Sequence, residues 1–282
     1  MNPTRISSLP LVFVVLVACS SERKEPAVQP GLEITLPRPQ AKVGEQELKV
    51  TEMQMDMRID ARGTEVKGKF TKRTEELLKV IAVDGFVVTE AEVTYKSIAE
   101  TSEMAGTQEA KSDARSGKTY RLTLENGALV ARAVGGPATD EELAEVVDDN
   151  DEIGVASEMD AIIASKTWRS GQPIAFTADE LARVNASKRS RPGDENETVT
   201  AMELTLLSLR DEVAVFAVTM GLRLDDDRSR LEFTLKGEAR VEARTGRMLE
   251  LGGSGSLAGA IQRMPVKGTI SMKGESRWVV AP

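Results

Sequence analysis

Leu231-Glu232-Phe233-Thr234-Leu235-Lys236-Gly237-Glu238-Ala239-Arg240-Val241-Glu242-Ala243-Arg244 alternates without a break. Leu231, Phe233, Leu235, Gly237, Ala239, Val241 and Ala243 stand against Glu232, Thr234, Lys236, Glu238, Arg240, Glu242 and Arg244. Successive side chains of a β-strand point to opposite faces, so period two makes one face dry and the other wet. Thr245-Gly246 turns the chain. Val266, Gly268, Ile270, Met272, Gly274, Ser276 and Trp278 then alternate against Lys267, Thr269, Ser271, Lys273, Glu275 and Arg277. Both runs exceed the usual strand of about six residues. Glycine recurs on the inner face at Gly237, Gly268 and Gly274, where the missing Cβ permits sharp bending. The expected fold is mainly β: a curved antiparallel sheet, a barrel or half-barrel, with a few short helices in the middle of the chain.

Reading outward, Met202, Leu204 and Leu206 alternate, and Val213–Leu224 is almost continuously apolar. Near the other end, Met53, Met55, Met57 and Ile59 alternate with charged and polar neighbours, which places them on a packed sheet face. Val66–Phe70, Leu77–Val83 and Phe86–Ile98 read as strands. Asp84-Gly85 between the last two supplies a two-residue hairpin, as does Asn126-Gly127 between Tyr120–Leu124 and Ala128–Val134. Residues 100–117 are polar and small and read as a long exposed loop.

Gly135-Gly136-Pro137 ends the strand pattern. Thr139 with Glu142 and Thr177 with Glu180 have capping-box spacing, so helices begin near Asp140 and after Thr177. Met159, Ile162 and Ile163 mark a short helix between them. Residues 186–197, with Pro192-Gly193, read as an exposed loop. A β-rich body is thus expected over 48–282, as two halves, 48–136 and 172–282, joined by a helical segment. The halves share an outline of the kind a duplication leaves, at too low an identity to establish one.

Residues 1–18 carry Arg5 and no acid, with an apolar run from Leu9 to Ala18 interrupted by Pro10. That run has the length of a signal-peptide core and is too short to cross a bilayer of about 30 Å. Small Ala18 precedes Cys19, the one cysteine in the chain. Leu16-Val17-Ala18-Cys19 resembles the bacterial lipobox, in which an aliphatic residue, a small or aliphatic one and a small one precede an invariant cysteine. The resemblance implies cleavage between Ala18 and Cys19, a lipid on the Cys19 thiol and acylation of its amino group. It also implies partners in the lipoprotein-processing and sorting machinery. Ser20, where an aspartate would signal inner-membrane retention, implies the outer membrane of a bacterial envelope. Residues 19–47, with Pro26, Pro30, Pro37 and Pro39, then read as a tether.

Composition narrows the chemistry. The chain has 282 residues, a net charge of −8, no histidine and 4% aromatics. An acidic protein is a poor binder of nucleic acid. Without histidine there is no Ser-His-Asp or Cys-His catalysis and no His-ligated metal. The sequence carries no motif for a cofactor, a metal or a catalytic centre. Asp148-Asp149-Asn150-Asp151-Glu152 has Ile153 where an EF-hand needs an oxygen ligand, and it reads as a solvated helix end. Gly252-Gly253-Ser254-Gly255 lies in strand-like sequence and opens no helix, so it is not a phosphate loop.

The body loosely resembles two groups. One is a set of uncharacterised β-rich bacterial lipoproteins, echoed by Trp168…Gly171 and Thr245-Gly246-Arg247-Met248. The other is the curved-sheet lipoprotein carriers. Three functions remain. The first is a non-enzymatic envelope lipoprotein, a binding or structural module anchored in the membrane through the lipid on Cys19, with its protein partner unspecified. The second is a carrier holding a hydrophobic ligand on a face made of Leu231, Phe233, Leu235, Val266, Ile270, Met272 and Trp278. The third is a hydrolase using paired carboxylates, which needs an open cleft between them.

Overall fold

In a computed structural model of the chain the described residues are 28–61, 63–187, 197–225 and 229–280. The elements run β1 (Glu33–Thr35), β2 (Glu45–Ala61), β3 (Thr64–Asp84), β4 (Val87–Met104), β5 (Thr107–Ser112), β6 (Thr119–Glu125), β7 (Ala128–Val134) and α1 (Asp140–Asp149). They continue with α2 (Glu158–Ala164), β8 (Thr167–Arg169), β9 (Pro173–Ala175), α3 (Ala178–Ser187), β10 (Glu197–Arg210), β11 (Val213–Asp225), β12 (Ser229–Glu242), β13 (Met248–Ile261) and β14 (Met264–Val280).

Twelve strands make one antiparallel sheet in the order β7-β6-β4-β3-β2-β14-β13-β12-β11-β10-β9, with β5 paired to β4. Its two end strands, β7 and β9, do not meet, so the expected curved sheet is open rather than a closed barrel. Each half is an up-and-down meander. The halves join where Glu45–Lys49 of β2 pairs with Ser276–Val280 of β14. Beyond Lys49 and Ser276 the two strands stay close: a Cβ on Gly268 would lie 2.2 Å from the Asp56 carbonyl oxygen.

The alternation that opened the sequence becomes alternating burial. Phe233, Leu235, Ala239 and Val241 are buried, and Glu232, Thr234, Lys236 and Arg240 are exposed. The glycine pattern also has a physical meaning. A Cβ on Gly237 would come within 1.8 Å of the Gly252 carbonyl oxygen, and one on Gly255 within 1.8 Å of that of Thr234. β12 and β13 thus coil against each other too closely for any side chain there.

Two apolar cores result. The larger joins β10–β14 to α2, α3, Leu36 and Trp168, whose ring meets Phe216 edge-on at 5.1 Å. The smaller lies on β3, β4, β6 and β7 under α1, around Val80, Val93, Tyr95, Tyr120, Leu122 and Val146. The helices begin where the caps say. The Thr139 hydroxyl accepts from the Glu142 N–H at 3.1 Å. Thr177 and Glu180 form a reciprocal box, at 3.2 and 2.8 Å.

Three expectations are corrected. The stretch from Val28 to Glu47 is part of the body rather than a tether. Ile34 pairs with Trp168, Leu36 is 1% exposed and β2 begins at Glu45, because Leu32, Ile34 and Leu36 suffice to anchor the strand to the larger core. The exposed loop expected over 100–117 is largely strand: β4 runs on to Met104, turns at Ala105-Gly106 and returns as β5. The hairpin expected at Asp84-Gly85 turns at Gly85-Phe86, since Asp84 pairs with Val87. The loop expected around Pro192-Gly193 lies outside the described residues.

Candidate functional site

The candidate ligand face divides in two. Phe233, Leu235, Val266, Ile270 and Met272 are 7%, 1%, 1%, 2% and 1% exposed, and Leu231 packs half-buried beside them. These six share the larger core. Trp278 belongs to the smaller one, where the Arg247 guanidinium covers its ring at 4.3 Å. The face is therefore filled by the chain's own side chains. Its open part is the far end of β2, where Met53, Met55, Met57 and Ile59 are half-buried against the larger core. Ala18 and Cys19 lie outside the described residues.

A cluster of charges lies at the junction of the two cores. Lys49 faces Glu76 across β3 and Ser276 across β14. Its ammonium lies 2.7 Å from Glu152 and 3.8 Å from each of Glu47 and Glu76. Burial pushes the Glu76 carboxyl up to about 7, against the pull of Lys49 and with the repulsion of Glu152, Asp149 and Glu47. Burial draws the Lys49 ammonium down, but Glu152, Glu47 and Glu76 together hold it well above its ordinary value. Glu45 continues the row, taking Arg247 Nη2 at 2.5 Å.

A second knot ties α1 to the sheet. Arg115 is 2% exposed and reaches Asp113 with two bonds of 2.7 and 2.9 Å and Asp149 at 2.7 Å. Asn150, fully buried, donates to the Tyr95 hydroxyl at 2.9 Å and to the Val146 carbonyl. The run from Asp148 to Glu152 is accordingly not a solvated helix end: Asp149 and Glu152 are held in ion pairs against the sheet. Glu142 receives Lys118 at 2.8 Å and the Tyr120 hydroxyl.

These groups can do little chemistry as arranged. Glu47 and Glu76 converge on one ammonium with side chains 10% and 11% exposed, so they do not stand across an open cleft. On the outer side of the β2–β14 seam a cleft of about 370 Å³ is floored by Leu48 and Val50. Its charges are paired, Arg73 with Glu52 and both Lys273 and Arg277 with Glu275, which leaves one positive charge in excess. The junction cluster left a signal in the sequence that the reading passed over. Glu45, Glu47 and Lys49 have the same parity as Met53–Ile59, so polar side chains stand at inward positions.

No family model and no curated protein sequence matches this chain. The chain is similar to a solved structure described as lipid–protein interactions in lipovitellin, with a TM-score of 0.40 and 6% identity. The likeness covers 86% of this chain, which spans 26% of that one.

Proposed function

We propose that this protein is a non-enzymatic envelope lipoprotein, held at the membrane by lipid on Cys19, whose β-sheet body is a binding or structural module. The observation that carries this reading is the filled face. A carrier needs room for its cargo, and Leu235, Val266, Ile270 and Met272 are all at most 2% exposed. The attachment geometry agrees. The Gln29 N–H donates to the Leu207 carbonyl at 2.8 Å, so the body starts there. From Cys19 to Gln29 the chain spans at most about 35 Å even when fully extended. A body on so short a leash works within one domain diameter of the bilayer.

The test is fractionation of cells expressing wild type or Cys19→Ala, grown with labelled palmitate. The wild type takes up label and sediments with membranes, and Cys19→Ala takes up none and is released. An unlabelled, soluble wild type overturns the reading.

The half-buried strip Met53, Met55, Met57 and Ile59 favours a second reading, a carrier that holds a hydrophobic ligand at the open end of the sheet. Methionine side chains adapt to ligands of irregular shape. Lipid recovered by mass spectrometry from the purified protein, and lost in Met55→Glu, supports the carrier. Lipid-free wild type rejects it.

A further inference from the structure

β5 is a short edge strand whose only charges are Glu109 and Lys111. All six of its residues, Thr107 to Ser112, are exposed, and it pairs with β4 alone among the described strands. Its register with β4 is unbroken, from Ala99–Ser112 to Met104–Thr107. It contains no proline or bulge, devices that commonly blunt such edges.

The turn fixes which backbone groups face outward. Ala105 and Gly106 both have positive φ, 52° and 83°, as a two-residue primed hairpin turn requires. In such a hairpin the flanking pair, Met104 and Thr107, exchanges hydrogen bonds, and bonded and non-bonded pairs then alternate. Glu109 and Lys111 thus turn their N–H and C=O groups toward β4. Gln108, Ala110 and Ser112 turn theirs outward.

We propose that β5 pairs with β5 of a second copy of this chain, antiparallel and centred on Ala110. That register places Ala110 opposite Ala110 of the second copy and Gln108 opposite its Ser112. These are the residues with outward backbone groups, so they become the hydrogen-bonded pairs of a new ladder. Glu109 then stands opposite Lys111 of the second copy, and Lys111 opposite its Glu109. Both fall in non-hydrogen-bonded pairs, where Cα atoms are about 4.5 Å apart and side chains lie closest. A strand carrying one acid and one base, symmetric about Ala110, gains nothing from an edge of uniform charge and matches its own copy. The contact is smaller than a standard interface, so the dimer is weak and depends on concentration.

The experiment is sedimentation of the full chain in detergent over a concentration series up to millimolar. The wild type dimerises. Glu109→Lys and Lys111→Glu each raise the dissociation constant by about 10-fold or more, because both cross-copy pairs become like charges. An equimolar mixture of these two variants dimerises again, since every pair is then opposite in sign. Ala110→Pro loses the dimer while its thermal midpoint stays at the wild-type value, because the N–H it removes is not used by β4. A wild type that is monomeric throughout overturns the proposal. So does a dimer that survives Ala110→Pro, or a mixture that fails to recover association.

Discussion

At the scale of single residues, Glu76 makes stability depend on pH near neutrality. Its carboxyl titrates at about 7 in the fold, mainly through burial, against an ordinary value of 4.5. Between those values the folded chain holds a proton that the unfolded chain has released. The contribution of Glu76 to stability therefore falls as pH rises from about 4.5 to 7 and is level on either side. Glu76→Gln removes this dependence. We expect it to be more stable than wild type by about 1–3 kcal/mol at pH 8 and no more stable at pH 4. Denaturant unfolding at both pH values measures this, and an equal difference at both would refute it. Lys49 titrates above this window, because its neighbouring carboxylates raise its pKa. Parity with Met53–Ile59 is a signal that Glu47 and Lys49 face inward, although it names none of their partners. The convergence of carboxylates on one ammonium depends on which strands are neighbours, and no spacing within one strand encodes that.

At the scale of elements, reading succeeded where a local rule acts. Asn126 and Gly127 both have positive φ, 52° and 81°, as expected of their hairpin. Thr177 and Glu180 cap α3 reciprocally. The β4–β5 hairpin was missed because all of β5 is exposed, so its sequence shows no dry face to alternate with a wet one. The glycines of β12 and β14 are legible as curvature and become quantitative in the fold. Gly237→Ala forces a methyl group into the Gly252 carbonyl oxygen. It should cost about 3 kcal/mol, from overpacking against backbone that cannot yield. Gly136→Ala, whose Cβ meets nothing within 4 Å, is the control and should leave the thermal midpoint unchanged. A neutral Gly237→Ala would show that β12 and β13 can separate.

At the scale of the molecule, two cores are coupled through a short ladder and through Met53, Met55, Met57 and Ile59 of β2, which pack against the larger core. Glu45–Lys49 with Ser276–Val280 links the half-sheets, and Trp278 and Arg247 cover the same seam. Ending the chain after Glu275 removes the ladder and leaves most of both cores intact. We expect calorimetry to show one unfolding transition for the full chain and two for the truncated chain. A single transition in the truncated chain would mean that the packing of β2 alone couples the cores.

The sequence by itself determined the strand faces, two helix caps, the Asn126-Gly127 hairpin and the position of Cys19. Alternation, turn geometry and capping act within a few residues, and they leave their mark there. Only the tertiary structure decided that β2 lies against β14, that the apolar face is filled and that Lys49 gathers carboxylates from separate segments. Those outcomes rest on register between distant parts of the chain. Arg247 and Glu45, 202 residues apart, meet only because two meanders close on one seam.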